Sequence, residues 1–249
     1  MKNSIQLNIV FILLSFYLSG QTADSKSLKA SYRIVSHTNA GSTTKNDSLI
    51  TKNVIKNEVL SEYQKMLFLS SELITFELLY NSGKMIYFRK DFLIPDHLSS
   101  IQKKLLRAFQ NDIFYFDFTN QTYYKHTEFL DTKYNLRLFE EEAEWEILNE
   151  TKLINGYLSY KATKKNSGSS YPIAWFTPEI NFQIGPSDSQ FLPGLVLEYD
   201  FKIYKIYCEK IDFTLSKEDI KSIQKPKGID ISENDLKKIV DKAKQNYTN

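Results

Sequence analysis

Period-two alternation of apolar and polar residues runs through most of the chain and predicts strands. Over Ser27–Thr38, Tyr32, Ile34 and Ser36 oppose Arg33, Val35 and His37. After a polar turn at Asn39–Asp47, alternation resumes over Ser48–Leu60 through Leu49, Thr51, Asn53 and Ile55. Lys65–Tyr80 is richly apolar, with Met66, Phe68, Leu73, Ile74, Phe76, Leu78 and Leu79, and is interrupted at Ser70-Ser71. It reads as two adjacent strands joined there by a tight turn. Asn81-Ser82-Gly83 marks a further turn before a strand at Met85–Phe88.

The period changes over Asp96–Gln110. Leu98, Ile101, Leu105, Leu106 and Phe109 recur at helical spacing behind Pro95, which predicts an amphipathic helix. Strands return at Ile113–Phe118 and Thr122–Leu130 around a Thr119-Asn120-Gln121 turn, then at Tyr134–Glu140 and Ala143–Leu148. Gly156–Thr163 and Tyr171–Thr177 form another pair, joined by a polar loop over Lys164–Ser169. In Leu195–Ile203, Leu195, Leu197, Tyr199, Phe201 and Ile203 take one face, and Glu198, Asp200 and Lys202 the other. The phase then slips to Tyr204, Ile206 and Cys208, so a tight hairpin or bulge is expected near Lys202–Tyr204. Lys225-Pro226-Lys227-Gly228 reads as a linker. Ser232 with Asp235 three residues on resembles a capping box, opening a short surface helix with Leu236, Ile239, Val240 and Ala243 on its apolar stripe.

Many strands, short polar turns and one internal helix predict a β-rich α+β fold, a curved antiparallel sheet forming an open half-barrel wrapped over a helix. The first residues add a different signal. Lys2, an apolar run from Ile9 through Leu18, and small residues Ser19, Gly20, Thr22 and Ala23 describe a secretory signal peptide with cleavage after Gly20 or Ala23. The run is shorter than the ~20 residues of a membrane span, and no later segment is apolar enough to be one. The expected layout is a signal peptide over 1–23, a single β-rich domain over 24–224, and a linker and short helix over 225–249.

Charge and chemistry narrow the function classes. Lys and Arg number 32 against 30 Asp and Glu, which implies no polyanion or nucleic-acid partner. One cysteine, Cys208, excludes an intrachain disulfide; on an apolar strand face it reads as packing. His37, His97 and His126 are scattered, with no metal-binding or triad spacing. No P-loop, dinucleotide fingerprint, zincin motif or nucleophile elbow occurs. In Glu140–Glu146, the residues Glu142, Glu144 and Glu146 would share a strand face; such a comb suits a hard cation, but the bland reading is a solvated face with Ala143, Trp145 and Ile147 inward. Lys237, Lys238, Lys242 and Lys244 make a basic helix face, diluted by Asp235 and Asp241. No cofactor or metal is expected.

The most distinctive stretch runs Trp175-Phe176-Thr177-Pro178-Glu179-Ile180, then Gly185-Pro186, then Leu192-Pro193-Gly194-Leu195. With Trp145, Glu150, Lys152, Gly156, Tyr157 and Lys161 upstream, it resembles the GLPGLI family of secreted proteins from Gram-negative bacteria. Phe191 stands where that signature has its first glycine, and Ser159 where many members have a cysteine. The resemblance implies export to the periplasm or cell envelope, no established activity, and a layout resembling periplasmic lipoprotein carriers. The motif residues Trp175, Thr177, Glu179, Gly185, Pro186, Leu192, Pro193, Gly194 and Leu195 read physically as structural. Pro193-Gly194 suits a type II turn, and the loop from Glu179 to Phe191 would clamp the sheet end, or else guard a binding cavity.

Three readings follow. A non-enzymatic carrier would hold an apolar ligand such as a lipid or lipidated peptide among the abundant aromatic residues. An interaction module would serve an outer-membrane complex through an edge strand or the motif loop. An enzyme of unfamiliar type would use carboxylates such as Glu142, Glu144 or Glu198. Export gives the first expected outcome: N-terminal sequencing of the protein recovered from the envelope should read from Gln21 or Asp24, whereas a start at Met1 would refute the signal.

Overall fold

A computed structural model describes residues 27–37, 62–138, 144–165 and 171–247. The alternating segments pair into one open sheet of 12 strands. These are β1 (Ser27–Ser36), β2 (Thr75–Asn81), β3 (Lys84–Arg89), β4 (Ile113–Asp117), β5 (Thr122–Phe129), β6 (Thr132–Leu138), β7 (Trp145–Ile154), β8 (Tyr157–Lys164), β9 (Ile173–Thr177), β10 (Leu195–Asp200), β11 (Tyr204–Asp212) and β12 (Ile229–Ile231). Four helices lie among the described residues: α1 (Glu62–Leu73), α2 (Ser100–Ala108), α3 (Lys217–Ser222) and α4 (Glu233–Tyr247).

The strand order is β12-β6-β5-β4-β3-β2-β1-β11-β10-β9-β8-β7. Every pairing is antiparallel except β12 with β6. Chain-early β1 sits at the middle and pairs with both β2 and late β11. Its alternation is complete: Leu28, Ala30, Tyr32 and Ile34 are fully buried on the core face. The Tyr32 hydroxyl donates to the Val196 carbonyl at 2.8 Å, so this buried ring carries no orphan donor. Phe76, Leu78, Met85, Tyr87, Phe114, Phe116, Ile206 and Cys208 extend the same core, and Met66 and Leu67 of α1 and Leu106 of α2 pack on it.

Antiparallel β-rich structure, the helix near residue 100 and the turn at Asn81–Gly83 agree with the sequence patterns. Ser99 caps α2 in a full capping box with Gln102. The phase slip after Ile203 is a tight β10–β11 hairpin, with Lys202 at φ 78° and its N–H bonded to Asp200.

One segment differs. Ser70-Ser71 is no turn; it lies inside α1, and only Thr75–Asn81 is strand. The buried positions Met66, Leu67, Ser70 and Ile74 fall on one helical face. The Ser71 hydroxyl donates to the Phe68 carbonyl at 2.7 Å, a bond within the turn that makes serine compatible with a helix interior. The signal peptide and the strand expected over Ser48–Leu60 lie outside the described residues.

The C-terminal segment is more than a linker and a helix. Beyond β11 it crosses the back of the sheet as a strap. Lys29 on β1 bonds Asp219 of α3 at 3.1 Å. Ile223 packs on Leu79 and Ile86 in a second, small apolar cluster. Lys225 lies 3.8 Å from the Tyr124 ring centroid and pairs with Asp230. Asn135, buried on β6, donates from Nδ2 to the carbonyls of Pro226 and Gly228 and to Asp230. Its Oδ1 therefore accepts, and His126 Nδ1 at 2.8 Å is the protonated nitrogen. These bonds deliver β12 to the β6 edge, and α4, 15 residues long, continues on the surface.

Acid should loosen this strap first. The Lys225 ammonium is the main cause holding the Asp230 carboxyl below its usual range. Partial burial opposes the charge of Asp219, but Lys29 and Ser216 hold that carboxyl down too. A carboxyl depressed in the folded state stabilises above its unfolded value, about 4 for Asp, and the contribution is lost as pH falls through the lower folded value. Hydrogen-exchange protection factors, corrected for the intrinsic pH dependence of exchange, are expected to fall over Leu215–Ile231 below about pH 4 while β1 and β11 stay protected; simultaneous loosening of both would refute this.

Candidate functional site

The motif segment joins β9 to β10, and its local chemistry explains its path. Trp175 sits on the back of β9 with Lys152 Nζ 4.1 Å from its ring centroid. Thr177, fully buried, ends β9, and its hydroxyl accepts the Glu179 N–H. Glu179 is exposed, and its carboxylate accepts the Leu158 N–H at 2.8 Å. The chain then turns through two three-residue bonds, Phe182 N–H to Ile180 and Ile184 N–H to Phe182, both 2.8 Å. This repeat sends Ile180 and Ile184 into the core and leaves Asn181 and Gln183 exposed.

Pro193-Gly194 makes a tighter turn than a type II turn. Gly194 N–H donates to the Leu192 carbonyl at 2.7 Å, closing a γ-turn around Pro193. Gly194 has φ 150°, and a Cβ there would lie 2.0 Å from the Thr177 carbonyl oxygen. At Gly185 a Cβ would fall 2.4 Å from Ser189 Oγ and 2.7 Å from Val196 Cβ. Both glycines are thus fixed by close approach to neighbouring chain. Leu192 and Leu195 flank the turn and are buried in the main core.

Between those glycines the loop is polar, buried and self-satisfied. Gln190 Nε2 donates to the carbonyls of Gly185 and Ser187, and Ser189 Oγ to that of Pro186. Trp145 Nε1 donates to the Gln190 carbonyl at 2.9 Å. Asp188 accepts the Tyr199 hydroxyl at 2.9 Å and pairs with Lys164. Burial works against the Asp188 charge, but Lys164 and Tyr199 outweigh it and hold the carboxyl below its usual range. Burial, reinforced by Asp188, lifts the Tyr199 hydroxyl well above its usual value.

Phe191 is the exception to this economy. It is a bulky residue at φ 69°, a conformation that costs an L-residue about 1–2 kcal/mol. Its ring meets three others edge-on, with centroids at 6.0 Å from Phe116, 6.1 Å from Phe118 and 5.1 Å from Tyr123.

The other sequence candidates scatter. His37, just past β1, pairs with Asp200 at 2.9 Å, His126 of β5 pairs with Asn135, and His97 is exposed in the loop before α2. Of the carboxylate comb, Glu144 and Glu146 are exposed and Glu142 lies outside the described residues. Among the described residues no group of three His, Cys, Asp or Glu could hold a metal. Cys208 is buried, and burial pushes its thiol up to about 12. Glu198 is 4% exposed, with its two oxygens taken by Lys152 at 2.7 Å and Lys205 at 2.9 Å. Those lysines fold over the back of β10, where alternation alone places a polar residue without showing that it is covered. Sequence reasoning also missed Asn155-Gly156 as the β7–β8 turn. Their φ values of 53° and 84° suit the Asn-Gly type I′ hairpin signal that the sequence carries.

The two kinds of glycine can be told apart. Gly194→Ala is expected to cost about 3 kcal/mol or more, since the Thr177 backbone cannot give way. Gly156→Ala meets nothing within 4 Å and should cost only about 1 kcal/mol, for its positive φ. Urea unfolding of both variants decides, and equal losses would refute the close-approach account.

No family model matches the chain, and no curated protein matches it. Among solved structures it is similar to PNGF-II in its C2 and P21 crystal forms. The TM-score is 0.51 for each, with 14% and 15% identity over 86% of this chain. The chain spans about a third of PNGF-II, 32% and 33% of its length in the two forms. An uncharacterized conserved protein from Thermus thermophilus superimposes at 0.39, with 6% identity over 89% of this chain and 99% of that one. At these identities the PNGF-II likeness is one of fold alone.

Proposed function

We propose that the protein is an exported envelope component of GLPGLI type that binds rather than catalyses, recruiting a protein partner by strand addition at β7. The observation that carries this is the asymmetry of the sheet's two ends. The β6 edge is covered by β12, delivered there by a strap of ion pairs and an asparagine clamp. At the other end β7 has no strand on its outer side among the described residues. A strand edge offers unpaired backbone donors and acceptors, and an extended segment of a partner satisfies them.

β7 is also shaped for selective use. A register shift between Ile147 and Thr151 breaks it into two short stretches, which discourages indiscriminate pairing. The stretch nearer the hairpin tip presents Leu153, 72% exposed, directly across from Leu158. A partner strand with an apolar residue at this level would bury that pair, worth about 2 kcal/mol for one leucine.

A second reading, carriage of an apolar ligand, is supported by the dense aromatic core face and the wedge of Phe191. The finer fold reading belongs here: a half-barrel over helices, as in periplasmic lipoprotein carriers, is supported by α1 and α2 packing on the core face.

A photo-crosslinking residue at position 153, expressed in the native envelope, is expected to trap one dominant protein. Leu158→Lys should weaken that adduct severalfold with an unchanged thermal midpoint. Absence of any adduct, or an equal yield from a crosslinker in exposed α3, would sink the proposal.

A further inference from the structure

We propose that Phe191 is a displaceable plug. In this view the ring cup of Phe116, Phe118 and Tyr123 beneath it binds the apolar end of a small amphipathic ligand, an aromatic ring or an acyl chain. The inference sharpens the carrier reading and rests on it. Phe191 stands at a backbone conformation that glycine would adopt without penalty, so its ring is held there only by the contacts that it makes in the cup. Its hold on the cup is made of ring edges at interplanar angles of 67°, 73° and 75°, contacts that another ring or a methylene chain can replace. The residue is only half-buried, so the cup lies one side chain from solvent. Its backbone is held by its own N–H on the Gln183 carbonyl at 3.2 Å and by fastened neighbours, Gln190 on the loop carbonyls and Leu192 in the core, which confines the movement to rotation of the Phe191 side chain.

A place for the polar end adjoins the cup. A half-open cleft of about 590 Å³ lies at the β6 edge, with Leu136, Leu138, Lys125 and Arg137 in its walls. Leu138 stands directly across from Tyr123 in the β5–β6 pairing, and Tyr123 across from Phe116 in β4–β5. The apolar wall of the cleft is thus continuous with the cup. A ligand lying across Leu138 would put its tail among the rings and its polar head at the rim of the cleft, on the face that carries Lys125, which pairs with Asp112, and with the carboxylates of Asp230 and Glu233 also in the lining.

The test is titration of the full mature protein with N-phenyl-1-naphthylamine, followed by fluorescence, with thermal midpoints recorded for every variant. Saturable binding to the wild type is expected. Phe191→Gly accepts the local φ and removes the competing ring, so affinity should rise about tenfold, and Tyr123→Leu should lower it several-fold. Phe191→Trp serves if the glycine variant does not fold: its indole emission should shift to the red as the probe expels it, beyond any change seen in the wild type. Saturable binding that ignores these substitutions would overturn the plug while leaving the carrier reading standing. No saturable binding to the wild type would overturn both, even if Phe191→Gly bound the probe in an emptied cavity.

Discussion

The tightest of the described glycine sites is Gly194 against the Thr177 carbonyl, where even one added carbon would sit 2.0 Å from oxygen. That contact brings the end of β9 and the start of β10 together and forces everything between them to fold back on the sheet. The loop returns to its own beginning: Leu195 N–H bonds to Ile180, and Val196 N–H to Ile184. Ile180, Ile184 and Leu192 are thereby delivered to the core. An inserted loop carries backbone and side-chain polar groups with it, and each one left unpaired would cost about 1–3 kcal/mol. Gln190, Ser189 and the γ-turns answer that demand from within the loop, while Trp145 and Tyr199 fasten it to β7 and β10.

The same constraint sets where strain accumulates. With Leu192 committed to the core on one side and Gln190 to the loop carbonyls on the other, the residue between them has little choice of backbone. Glycine would adopt φ 69° without penalty. This chain has phenylalanine, and the aromatic contacts of its ring offset the backbone cost. The signature position is therefore a place where local preference and tertiary packing disagree, which is where function tends to concentrate.

The sheet was legible in the sequence wherever one face meets the core and the other meets solvent. β1 shows this, as does the hairpin phase slip after Ile203. α2 was legible from its period and its Pro95 approach. α1 was not, because Met66, Phe68, Leu73 and Ile74 satisfy alternation and helical spacing at once, and Ser70-Ser71 imitates a turn. The strap was invisible for another reason: its anchor, Asn135, is an ordinary polar residue in β6 whose three acceptors lie far along the chain, at Pro226, Gly228 and Asp230. Glu198 falls in the same class, since a carboxylate between two lysines from β7 and β11 looks in sequence like any outward-facing glutamate. Of the motif, the need for glycine at 194 was legible from turn chemistry. The reason for it, contact with Thr177 rather than a type II turn, was not.

The back of the sheet divides accordingly. Over β2 and β3 it is apolar, with Leu79 and Ile86, and the strap covers it with Ile223. Over β8 to β11 it is covered by its own long side chains, Lys152 on Trp175 and Lys205 on Glu198. A strap is needed only in the first case, because a lysine stem shields a ring or a carboxylate but leaves an aliphatic patch open. Covering that patch also carries the chain to β6, so a single segment shields the apolar back and caps one edge. No comparable segment reaches β7 among the described residues. Its register shift and flanking charges limit unwanted pairing there, so among the described residues the two ends of the sheet are managed by different means, a covering strand at β6 and a broken, charged strand at β7.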